Sequence, residues 1–312
     1  MDLYVRQAQN RRRTLAFLLV FIAAFGVFGF SLDVVAYGFL DARGEPLPLL
    51  TIWAAAVATG LALTSYFAGS KLVMASLLAR PLDQTLPEDR QLFNIVTEMA
   101  VAAGVPRPQI YVIPDPAPNA LATGRDPAHA AIGVTQGALD LLDREETQGV
   151  VAHEMAHIAN RDTLVMTVVG ILVGGLVMLA DWARRALTIT GDRRRRGSVL
   201  LVVLVVVLTL VAPLLSRLIA MAISRQREYL ADATGAELTR NPIGLARALE
   251  KIGAATTPLR TATRGTAHLF ISDPLQRRVS NNPGRWGDLL ASHPPLSRRI
   301  AILRALAHGG TV

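Results

Sequence analysis

Four apolar runs limit what this chain of 312 residues can become. They lie at 15–30, 49–69, 164–180 and 198–216, each close to the ~20 residues a helix needs to cross a bilayer. With 51% hydrophobic residues and a mean hydropathy of +0.36, the chain is too apolar for an ordinary soluble protein. The first run extends to residue 40 if Asp33 is tolerated within it. It follows a basic stretch holding Arg6, Arg11, Arg12 and Arg13, but no small-residue cleavage site precedes a polar start, so it reads as an uncleaved anchor. The 80–163 and 224–312 stretches have the composition of a soluble domain. The expected organisation is two transmembrane helices over 1–79, a soluble domain in two parts over 80–163 and 224–312, and a hydrophobic helical hairpin over 164–223 between those parts.

Charge gives this arrangement a direction. The link between the first two runs carries Asp33, Asp41, Arg43 and Glu45 and is net negative, whereas the N-terminus and the Lys71 and Arg80 side are positive. By the positive-inside rule both termini and the soluble domain face the cytoplasm. The link between the last two runs conflicts with that rule, because Arg184, Arg185 and 193–196 would then lie outside. Either the hairpin spans and its loop is an exception, or it packs on the soluble domain or dips into one leaflet. The +8 formal charge comes almost wholly from arginines that flank apolar runs without aromatic interleaving. It points to anionic headgroups and away from nucleic acid.

Within the soluble part, VVAHEMAHIAN at 150–160 places two histidines four apart on an apolar helix. His153 and His157 share one face and can offer two nitrogens to one Zn²⁺, with Glu154 beside them to take a proton from water. His-Glu-x-x-His is expected far less than once by chance in a chain with so few His. Cysteine is absent, so a third ligand must be His or carboxylate. Glu228 and Asp232, four apart on an expected helix, form the best pair: Glu228 as ligand, with Asp232 holding a ligand histidine. The bland alternative is a solvated acidic face paired with Arg225 and Arg227.

Local signals fill in a mainly α, α+β domain with a small sheet. Pro87, early acids and Gly104 bound a helix at Pro87–Ala103. Strands are expected at 110–113 and 129–134, with the 118–124 segment forming a turn that leads into a further strand. An Asp143/Glu146 capping box starts the metal helix, which runs to about Arg161. Asn241 caps a helix to Ile252, residues 268–271 suggest a short strand, and 295–307 reads as an amphipathic helix.

PNALATG, HEMAHIANRD, SRQREYLADA and SHPPLSRRI, in this order, resemble the HtpX-type membrane zinc peptidases, relatives of the CAAX prenyl proteases. The resemblance spans nearly the whole chain. It implies a multi-pass inner-membrane protein carrying a Glu-zincin metalloprotease domain, an endopeptidase facing the cytoplasm and acting on unfolded or damaged membrane proteins in stress-linked quality control. It implies one zinc on His153, His157 and Glu228, Glu154 as base and Asp232 behind a ligand. It also implies that Asn119 contacts the substrate backbone and that His293 steadies the oxyanion; the other reading of His293 is a cap for the helix near Pro295. An extended substrate is expected to add beside a strand near 128–134. Two alternatives remain: processing of particular membrane or prenylated proteins, and a non-catalytic zinc-binding scaffold. Oligomeric state is not legible in the sequence.

Overall fold

The computed structural model describes residues 3–37, 48–172, 225–263, 266–274 and 294–308. Most of the expected 164–223 hairpin, the acidic and basic links at 38–47 and 184–196, and His293 lie outside the described residues. What is described is mainly helical, with one small sheet.

Two long helices lead. α1 is Leu3–Tyr37 and α2 is Leu49–Ser76. α2 is the one helix among the described residues that is long and apolar enough to cross a membrane, whereas the apolar part of α1 is the shorter Thr14–Val27. Asp33 is tolerated in the first run because it has a partner. Its carboxylate accepts from the Leu50 and Thr51 amides at 3.0 and 2.8 Å and from Thr51 Oγ1 at 2.7 Å, satisfying amides that the first turn of α2 cannot bond internally. Glycine is needed at position 29, where a Cβ would come within 2.6 Å of the Leu50 carbonyl oxygen.

The four strands are β1 Arg80–Pro81, β2 Gln109–Ile113, β3 Ala120–Gly124 and β4 Ala130–Thr135, in the order β1-β2-β4-β3. Only the β2–β4 pair is parallel. Side chains alternate between two apolar layers, as strand geometry requires. Ile110, Val112, Ile132 and Val134 face the helical core, while Ile113, Leu121 and Ala131 face Val73, Met74 and Leu77 at the end of α2. The membrane-type helix is thereby docked on the back of the sheet.

Three sequence expectations do not hold. Residues 120–124 are not a turn before a strand but the strand itself, and the turn follows at 125–129. The 128–134 region cannot receive an added strand, because β4 is hydrogen-bonded on both sides. The outer edge of β3 is taken as well: Leu121 bridges Phe270, and the Ile271 amide donates to the Ala120 carbonyl at 2.9 Å. Residues 267–271 accordingly hold a 3₁₀ turn and one bridge in place of the expected strand.

The remaining helices are α3 Pro87–Ala103, α4 Gln136–Leu141, α5 Arg144–Ala159, α6 Thr163–Leu172, α7 Arg225–Thr239, α8 Pro242–Ala254 and α9 Leu296–Ala307. Leu92, Ile95, Val151, Met155, Leu245, Leu249 and Leu303 join α3, α5, α8 and α9 to the sheet in one core. α6 packs with α1 and α2 through Leu164, Val168, Phe21 and Ala58.

Candidate metal centre

α5 starts where the capping box places it. Asp143 Oδ1 accepts from the Glu146 amide and Glu146 Oε2 from the Asp143 amide, both at 2.9 Å, and Lys251 Nζ adds a 2.6 Å contact to Glu146. From Val150 to Ile158 every residue of α5 is buried. Glu228, Asp232 and Gly235 follow at i, i+4 and i+7 on α7, so they form one stripe against α5. Gly235 makes the approach possible: a Cβ there would lie 3.1 Å from the His153 amide nitrogen.

This crossing gathers His153, His157 and Glu228, whose ligand atoms all lie within 4.8 Å of one another. His157 Nε2 is 3.6 Å from Glu228 Oε1, and His153 Nε2 is 3.9 Å from Glu228 Oε2. These separations are too long for hydrogen bonds. They approach the ~3.4 Å between ligands of a tetrahedral ion with ligand bonds of ~2.1 Å. Two imidazoles and one carboxylate, with no thiolate in the chain, is a donor set that suits a catalytic Zn²⁺. The residues present therefore fit the metal that the motif implies.

Behind these three residues stand groups that hold them. Asp232 Oδ1 is 3.0 Å from His153 Nδ1, which turns Nε2 toward Glu228. Arg299 on α9, fully buried, clamps Asp232 through Nε and Nη2 at 2.8 and 2.7 Å. Its Nη1 donates to the Ile271 carbonyl at 2.9 Å and lies 3.6 Å from Glu228 Oε2. Asp162, just past α5, lies 3.5 Å from His157 Nδ1. Glu154 is buried next to the ligands, and the Ala122 amide of β3 hydrogen-bonds to its carboxylate.

The charges are strongly coupled. Burial, with help from the Arg299 charge, pushes His153 down to about 4 despite its bond to Asp232. Burial alone would also depress His157, but Asp162, Glu228 and Glu154 reverse this and push it up to about 9. Burial raises Glu154 to about 7, with the Glu228 charge adding to the effect. For Asp232, burial is outweighed by Arg299, and the carboxyl is held at about 2.

Of the residues singled out in the sequence, His153, Glu154, His157, Glu228 and Asp232 meet at one place. Asn119 stands at the start of β3, buried, with Nδ2 donating to the Ser272 carbonyl at 3.1 Å and Oδ1 accepting from the Ala120 amide at 3.0 Å. It borders a cavity of about 300 Å³ shared with Pro118, Ser272 and Leu296. Sequence reasoning passed over Arg299 and Asp162. Arg299 did carry a signal: it lies three residues after Leu296 and four before Leu303, an arginine on the apolar face of its helix.

Comparison with known proteins identifies the family. The sequence pattern of Peptidase family M48 matches residues 87–307. The chain is 44% identical to a Protease HtpX homolog of Caldanaerobacter subterraneus subsp. tengcongensis, over 97% of this chain and 98% of the relative. It is 39% identical to a Protease HtpX homolog of Tropheryma whipplei (96% and 97% covered) and 44% identical to one of Thermococcus sibiricus (78% and 82% covered). The chain belongs to peptidase family M48 and is a metallopeptidase of the HtpX type.

Proposed function

We propose that this metallopeptidase is a zinc endopeptidase of the inner membrane, multi-pass, with its protease domain and both termini in the cytoplasm, and that it degrades unfolded or damaged membrane proteins. The observation that carries the zinc reading is the cluster of His153, His157 and Glu228 at separations suited to sharing an ion, with Glu154 buried alongside. Membrane association is supported by α2, whose apolar length is followed directly by residues packed on the sheet. The quality-control reading follows the resemblance to the HtpX-type peptidases.

In this proposal His153 Nε2, His157 Nε2 and Glu228 hold the metal. When bound, Zn²⁺ supplies Lewis acidity for the scissile carbonyl and for the attacking water. Glu154 takes the proton from that water and delivers it to the leaving amine, and burial raises its carboxyl toward the neutral range where such a shuttle works best. The Ala122 amide fixes the direction of that carboxylate. Asp232 and Arg299 keep His153 in one orientation and tautomer. Asn119 contacts the substrate backbone at the start of β3. Its carboxamide already grips the backbone of Ser272 through both its oxygen and its nitrogen, the pattern an extended peptide would receive. His293 steadies the oxyanion.

The test is cleavage of an unfolded model protein by detergent-purified chain, with chelation and zinc restoration, beside Glu154→Gln. Activity that follows zinc and is lost in Glu154→Gln is the expected result. Zinc-loaded parent that leaves unfolded protein intact would favour a narrow processing enzyme or a scaffold and overturn the degradative reading.

A further inference from the structure

α6 opens an apolar run, yet polar groups in its first turns reach β3 and the segment that bridges it. Thr167 Oγ1 is 2.7 Å from Thr123 Oγ1 and accepts from the Gly124 amide at 3.1 Å, both on β3. The Met166 carbonyl is 2.9 Å from His268 Nε2, two residues before the Phe270 bridge. Between α5 and α6 the chain reverses in a Schellman-type closure. The Arg161 amide bonds to the Ile158 carbonyl at 3.1 Å, and the Asp162 amide to the His157 carbonyl at 3.0 Å. Arg161 takes a left-handed φ of 56°, the conformation that closes many helix ends and favours glycine, as Leu78 and Arg240 also do at φ 54° and 51°. This turn folds Asp162 back over the second histidine of α5. Its carboxylate stands 3.5 Å from His157 Nδ1, both groups buried, while its carbonyl accepts from the Met166 amide at 3.3 Å and so starts α6.

We propose that Asp162 is a positioning residue that orients His157 through Nδ1, leaving Nε2 for the metal, and that it ties this ligand to the first turn of α6. The inference rests on the zinc reading of the site. It gives each histidine a carboxylate near Nδ1 from a different element: Asp232 from α7 at 3.0 Å, and Asp162 from the α5–α6 turn at 3.5 Å. The left-handed closure at Arg161 is what brings the carboxylate back to the imidazole. An apolar helix that packs against α1 and α2 thereby bears directly on one metal ligand.

Two substitutions separate positioning from helix capping. Asn and Ser both cap helices well, but only Asn is long enough to keep an acceptor at the Asp162 distance from His157. Zinc affinity of the detergent-purified full chain would be measured by chelator competition, with the absorption of the Co²⁺-loaded form as a report on ligand geometry. Asp162→Asn is expected to stay within about threefold of the parent, and Asp162→Ser to lose about 10–100-fold, the range for a residue supporting a ligand, with an altered Co²⁺ spectrum. Equal affinity of Asp162→Ser and the parent would overturn the proposal, as would an equal loss in both variants. If Asp162→Ser does not fold, the ¹⁵N resonances of His157 in zinc-loaded parent decide: a protonated Nδ1 and a ligated Nε2 support the proposal, and a ligated Nδ1 overturns it. A parent that binds no zinc would instead bring down the metal reading itself.

Discussion

His153 and His157 stand one turn apart on the same buried helix, and their surroundings drive them in opposite directions. Each has a carboxylate near Nδ1, Asp232 at 3.0 Å and Asp162 at 3.5 Å. The difference is Arg299. Its guanidinium neutralises Asp232 through two hydrogen bonds and extends positive charge over His153, so burial dominates and the ring is pushed down to about 4. His157 faces Asp162, Glu228 and Glu154 together, and it is pushed up to about 9. A buried carboxylate can therefore orient a histidine without making it a stronger base when a guanidinium is bonded to it as closely as Arg299 is to Asp232; Arg227 stands farther from Asp162, at 4.0 Å. In the proposed site one histidine would take a metal at neutral pH as it stands, and the other would first have to lose a proton.

That asymmetry can be broken from the His153 side. Arg299→Leu leaves Asp232 buried without its counter-charge, and we expect a loss of about 3–5 kcal/mol in unfolding free energy, measured by denaturant titration. A loss below 1 kcal/mol would mean that the clamp is not what holds α9 to α7. Glu154→Gln leaves both histidines in place. It should lower peptide cleavage roughly 10²–10⁴-fold while zinc content stays at the parent level, which separates the proton shuttle from metal binding. On the His157 side, the proton on a group at about 9 competes with the metal below that pH. Zinc affinity should rise about tenfold per pH unit up to about 9 and then level off. His153, at about 4, should contribute no slope above pH 5. A flat affinity between pH 6 and 9 would remove the asymmetry. The smallest effect is Gly235→Ala, which pushes α7 away from the His153 backbone and should cost about 1–3 kcal/mol in thermal or chemical unfolding.

The metal helix was legible because its signals are local. A capping box starts it, two histidines share a face, and apolar neighbours bury it, so Arg144–Ala159 falls where the residues place it. The Asn241-capped helix and Pro87–Ala103 were legible for the same reason. β3 was not. Ala120-Leu-Ala-Thr-Gly124 has a single β-branched residue, and it becomes a strand through pairing with β4 and Phe270, which no local pattern reveals. The closed edges of β3 and β4 were hidden for the same reason, and they remove the strand-addition mode expected near 128–134. Asp33 looked like an interruption of an apolar run because the amides it satisfies belong to the next helix. Arg299 lies 67 residues from Asp232 in sequence, so only its place on an apolar helix face hinted at a buried partner.

The central claim is that His153, His157 and Glu228 together hold one zinc. Metal content per chain, measured by elemental analysis on detergent-purified parent, Glu154→Gln and Glu228→Ala, tests it most directly. The account predicts one zinc in the first two and loss of zinc in Glu228→Ala, which should keep its fold. Stoichiometric zinc in Glu228→Ala would contradict it and place the third ligand elsewhere.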